Sequence, residues 1–175
     1  MTVLSRLLGK RPESREALRP LWLRVVEIAR EKRWYAELGV ADTVPGRFDA
    51  VTLVLALVMI RLDRDKDQDR ALVEAAARLT ELFVDDMDGQ LRQSGVGDLV
   101  VGKRMGRLVS VLGGRIGALR EALPTGPFGM TAVLERNMTL TDKADPVALA
   151  NAVLTLHRRI DAASASELMA GTFAR

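Results

Sequence analysis

Arg47-Phe48-Asp49-Ala50-Val51-Thr52-Leu53-Val54-Leu55-Ala56-Leu57-Val58-Met59-Ile60-Arg61-Leu62 is apolar on every side of a helix, its only charges being Arg47, Asp49 and Arg61. A helix of that kind is stable only when other helices wrap it. The segment therefore predicts the buried central helix, 47–62, of an all-α protein. The apolar run from Val51 to Ile60 is broken by Thr52 and falls well short of the ~20 residues needed to cross hydrocarbon.

The rest of the chain suits the wrapping role. Of 175 residues, 48% are hydrophobic but only 4% aromatic, a balance that favours Leu-, Ala- and Val-rich helices over sheets. The length supports a single compact helical domain of six to eight helices, 13–160, with residues 1–12 read as a flexible leader and 161–175 as a tail holding at most a short helix. The absence of cysteine removes disulfides, thiolate metal sites and cysteine nucleophiles. The single histidine, His157, sits beside apolar positions at helical spacing, where a helix-edge packing role is expected and no triad partner is in sight. No catalytic residue, cofactor site or metal site is assigned. The first residues lack the continuous apolar region of a secretory signal, so a cytoplasmic protein is expected.

Helices are predicted from Leu21 to Ala29 behind Pro20, and briefly at Trp34–Leu38, ending at Gly39. Pro45-Gly46 is expected at the centre of a turn before the central helix. A charged loop, Asp63–Asp69, leads to a helix whose stripe includes Leu72, Ala75, Leu79, Phe83, Met87 and Leu91 and which stops at Ser94-Gly95. Asp98 is read as the cap of the next helix, Leu99–Leu123. Pro124–Pro127 forms a break before a helix at Met130–Asn137, and Asp145-Pro146 opens one that continues to Ile160.

Net charge is only +3, but the charge is distributed in blocks: nine basic against four acidic residues in 1–35, six against ten in 61–98, and five against none in 103–120. Solvated helix faces are the ordinary reading of such blocks, and contact with lipid headgroups or ribosomal RNA the alternative. Without interleaved aromatics, DNA is not an expected partner.

Three constellations bear on function. Asp85, Asp86 and Asp88 lie within one helical turn, yet Asp85 and Asp88 project away from Asp86, which faces the apolar stripe; Arg47 or Lys103 is expected to supply Asp86 with a donor. Gly97-Asp98-Leu99-Val100-Val101-Gly102-Lys103-Arg104 has the glycine–lysine spacing of a phosphate loop, but places Arg104 where magnesium needs a hydroxyl. The helix after Asp98 holds five glycines, which cost it on the order of 5 kcal/mol relative to alanine. That cost is consistent either with a tight internal helix crossing or with a groove for a partner helix. Gly102, Lys103, Arg104, Gly106, Arg107, Gly113, Arg115 and Gly117 are the candidate partner-binding residues.

Trp34-Tyr35-Ala36-Glu37-Leu38-Gly39-Val40-Ala41-Asp42-Thr43-Val44-Pro45-Gly46-Arg47-Phe48-Asp49, followed by Asp85-Asp86-Met87-Asp88 and Leu91-Arg92-Gln93-Ser94-Gly95-Val96-Gly97-Asp98, resembles the ubiquinol–cytochrome c chaperone family over about residues 20–123. The resemblance makes Asp42, Gly46, Arg47, Asp49, Asp86, Gly95, Gly97 and Asp98 a structural signature. It implies a non-enzymatic assembly factor for the cytochrome bc1 complex that binds newly made cytochrome b. It further implies a small partner protein and the ribosome as neighbours, peripheral contact with the cytoplasmic face of the inner membrane, and an alphaproteobacterial source. Two other classes stay open: a divalent-metal enzyme built on the Asp85–Asp88 cluster, and a structural homo-oligomer.

Overall fold

The computed structural model describes residues 16–64, 70–93 and 98–174, and of residues 70, 90–93 and 98–105 the backbone alone. The expected leader, the greater part of the 63–69 loop and the turn at Ser94–Gly97 lie outside the described residues. Pro20 occupies the first turn of α1 (Arg19–Ala29), where a missing N–H costs no helical bond. The helix buries Leu21, Trp22, Val25, Ile28 and Ala29. Its final carbonyls are satisfied from α2 (Lys32–Ala36): Trp34 Nε1 donates to Ile28 O and Tyr35 Oη to Ala29 O, each at 2.7 Å.

The connector after α2 is pinned from the far end of the chain. Ala41 N donates to Thr139 O at 2.9 Å and Thr141 N to Gly39 O at 2.8 Å, forming one antiparallel bridge between Val40 and Leu140. Gly39, at φ +76°, lies so close to Ala144 that a Cβ there would sit 2.3 Å from Ala144 Cα.

The central helix α3 (Val44–Arg64) begins three residues before the expected Arg47. Pro45-Gly46 is not a turn centre but the helix's first turn, which tolerates proline. Thr43 caps it: Arg47 N donates to Thr43 O at 2.9 Å and Gly46 N to Thr43 Oγ1 at 3.3 Å. Gly46 is required for closeness, since a Cβ would lie 2.0 Å from Ala41 O. Residues Leu53 to Val58 are fully buried, as expected for a helix with no polar face.

α4 (Arg70–Gln93) lays Leu72, Ala75, Leu79 and Phe83 against α3, and Phe83 meets the rings of Trp22 and Phe48 at 6.1 and 6.3 Å. α5 (Asp98–Ala122) follows, then a 3₁₀ turn (Leu123–Thr125) and α6 (Gly126–Asn137), which starts four residues earlier than expected, with Pro127 in its first turn. α7 (Pro146–Ala162) is capped as its sequence demands: Asp145 Oδ1 accepts from Val147 N and Ala148 N at 3.0 Å each. α1, α4, α5 and α7 all pack on α3, so the chain is all-α around 47–62.

The C-terminal segment is docked, not frayed. Ser164 and Glu167 form a reciprocal capping box for α8 (Ala165–Ala170), and Gly171 ends it in the left-handed conformation. Leu168 and Phe173 are buried, and Arg24 of α1 donates to the carbonyls of Phe173 at 3.1 Å and Ala174 at 2.7 Å.

Candidate partner-binding surface

Two faces of α5 have opposite fates. Leu112, Arg115, Leu119 and Ala122 are buried against the core. Gly106, Ser110, Gly113 and Gly114 are exposed, with Gly117 half-exposed beside them. Among the described residues, a Cβ built on any of Gly106, Gly113, Gly114 or Gly117 meets nothing within 4 Å. The expectation of a tight internal crossing therefore fails at these four positions. The residues around them, Val109 and Val111, are apolar and respectively 40% and 38% exposed, and Arg107 is an exposed cation. Gly102, Lys103 and Arg104 belong to the same helix, but their side chains lie outside the described residues.

Arg115 corrects the sequence reading. It is 3% exposed and turned inward, so it does not stand on a face offered to a partner. Its guanidinium donates to Asp49 Oδ1 and Asp49 O at 2.8 Å each, and also to Thr52 Oγ1 and Asn137 O. The other Asp49 oxygen accepts from Thr139 N at 2.8 Å and Thr139 Oγ1 at 2.7 Å. One ion pair thus binds α3, α5 and the end of α6. Position 115, three after Leu112 and four before Leu119, already carried the signal of a core-facing residue.

Among the other signature residues, Asp42 and Arg47 form an exposed pair with Arg47 Nε 2.6 Å from Asp42 Oδ1. That hydrogen bond holds the Asp42 carboxyl below its ordinary range. Arg47 is therefore engaged with Asp42, while the Lys103 side chain, the other donor expected for Asp86, lies outside the described residues. Gly95 and Gly97 also lie outside them, and Asp98 is the first residue of α5 itself. Asp85 is exposed, and Asp86 and Asp88 half-buried; among the described residues no group of three His, Asp or Glu side chains could hold a metal ion.

Asp86 and Arg47 do meet along one feature that the sequence reading missed. A trough of about 430 Å³ opens between four helices, with Val26 from α1 and Arg30 just past its end, Phe48 and Val51 from α3, Met87 from α4 and Leu108 from α5. Val44, 83% exposed, and Pro45 stand beside it. Its walls come from positions far apart in the chain, which is why no local motif announced it. A second apolar patch joins Phe128, 91% exposed, to Val147 where α6 and α7 begin.

His157 is half-buried with Nδ1 lacking a partner among the described residues, and burial is the main cause of a pKa below the ordinary imidazole value. No helix among the described residues is long and apolar enough to cross a membrane.

A helical bundle with an apolar trough between four helices, and with Gly106, Gly113 and Gly114 of one helix turned outward, has the form of a protein-binding chaperone. The profile described as ubiquinol-cytochrome C chaperone matches residues 36–175, and the chain belongs to that family. The match reaches the C-terminus, well beyond the residues 20–123 that carried the resemblance. The chain is similar to the crystal structure of the Cbp3 homolog from Brucella abortus, at 30% identity and a TM-score of 0.78, over 97% of this chain and 94% of that one. No curated protein matches the sequence.

Proposed function

We propose that this chaperone works without catalysis, by holding a membrane subunit of the cytochrome bc1 complex, newly made cytochrome b first among them, before that subunit is embedded and assembled. The carrying observation is the α5 face: four glycines on which no described residue packs, on a helix that would be more stable with alanine. Small residues let a second helix approach closely, and close approach is how apolar transmembrane helices pack. Exposed Val109 and Val111 add apolar area, while Arg107, with Lys103 and Arg104 on the same helix, supplies cations for the client's polar ends, the lipid surface or the ribosome. A small partner protein and contact with the cytoplasmic face of the inner membrane belong to the same reading.

Deleting the gene and recording optical difference spectra of the membranes tests it. Loss of b-type haem absorbance and of quinol oxidation through the bc1 complex is expected, and must be restored by the intact chain. Normal spectra and normal quinol oxidation in the deletion strain would remove the assembly role.

A further inference from the structure

Two concavities meet at Arg30 and Arg47. One is the apolar trough; the other is a polar notch of about 260 Å³ bordered by Arg30, Lys32, Tyr35, Asp42 and Arg47. Sites of a few hundred Å³, mostly apolar with a few convergent polar groups, are the usual form for small ligands. The notch holds three cations against one carboxylate, and that carboxylate already accepts from Arg47 Nε at 2.6 Å. Arg30 and Lys32 have no ion-pair partner among the described residues. Among the described residues, two positive charges therefore stand uncompensated at the end of an apolar slot.

We infer that this composite site binds an anionic phospholipid, with one acyl chain in the trough and the phosphate against Arg30, Lys32 and Arg47. Each half of the site calls for one half of such a molecule. A neutral apolar ligand would leave the cations unanswered, and a free phosphate would leave Phe48, Val51, Met87 and Leu108 facing water. The cations stand at the α2 end, which sets the direction of the ligand: head toward α2, chain toward α4 and α5. The unbranched thioether of Met87 lets that wall adapt to chains of different shape. This inference does not rest on client binding and is tested on the purified protein alone.

The full-length chain is titrated with 1-palmitoyl lysophosphatidylglycerol below its critical micelle concentration, with amide chemical shifts and thermal unfolding as readouts. Saturable shifts centred on α1, α2 and the start of α3, a raised unfolding temperature and weakening with added salt are expected. Arg30→Gln/Lys32→Gln, two exposed positions, should weaken binding by about tenfold or more while leaving the unliganded unfolding temperature unchanged. Val51→Trp should block the trough; if it does not fold, the charge variant still decides. Three competitor results would overturn the inference: lysophosphatidylcholine binding equally well, inorganic phosphate alone reproducing the shifts, or palmitate binding as tightly. Indifference of the charge variant would do the same. So would binding that appears only after residues 1–12 are removed, which would make the chain's own leader the occupant.

Discussion

Arg115 shows how much one side chain can hold. It is 4% exposed at the side chain and satisfies acceptors on α3 and α6 from a position on α5. Arg115→Met keeps the volume but leaves Asp49 Oδ1 and the Asn137 carbonyl without their donor, a change expected to lower stability by about 3 kcal/mol. Arg115→Lys should lose less, because one ammonium keeps the charge but cannot reach all four acceptors. Urea denaturation of the two variants measures both losses; a change below about 0.5 kcal/mol for Arg115→Met would show that the clamp is not structural. His157 makes a prediction of the same sign as a paired carboxylate, but in a higher pH window. Its folded pKa lies below the unfolded value of about 6.5, so between the two the unfolded chain binds more protons and folding weakens as pH falls. The urea midpoint should therefore drop on acidification below about pH 6.5, and His157→Gln should flatten that part of the dependence. Equal slopes in the two proteins would place the acid sensitivity elsewhere.

At the scale of elements, α5 trades its own stability for a surface. Gly113→Ala and Gly117→Ala place methyl groups where no described residue lies within 4 Å and remove backbone freedom from the unfolded chain, so each should stabilise the protein by roughly 0.5–1 kcal/mol. On the proposed role the same pair should impair bc1 assembly in a complementation assay, because the close approach is lost. Stabilised protein with full complementation would detach the glycines from client binding. The helices themselves were legible wherever period and cap agreed: Pro20, the stripe of α4, Asp145-Pro146 and the all-round apolar run of α3 appear where the pattern placed them. Helix starts were less legible. Pro45-Gly46 and Gly126-Pro127 carry turn chemistry, yet each pair fits a first turn, and only tertiary contact decides between the two. The trough was illegible because Val26, Val51, Met87 and Leu108 share no local pattern.

The whole molecule is closed by its last residues. Leu168 at 0% and Phe173 at 3% exposure are core, and Gly171 lies so close to Pro20 that a Cβ would be 2.4 Å from its carbonyl oxygen. Truncation after Ala163 uncovers two large apolar side chains' worth of core, roughly 3–6 kcal/mol by area. That is a large part of the 5–15 kcal/mol that typically holds a domain together. The shortened chain should unfold at a markedly lower temperature in calorimetry, or lose its cooperative transition; an unchanged transition would make α8 an appendage. The clasp of Arg24 on Phe173 and Ala174 also bears on biosynthesis. Arg24 and its Phe173 acceptor are 149 positions apart, so α1 gains this cover only once residues 165–174 have been made, and its surface is finished late in synthesis.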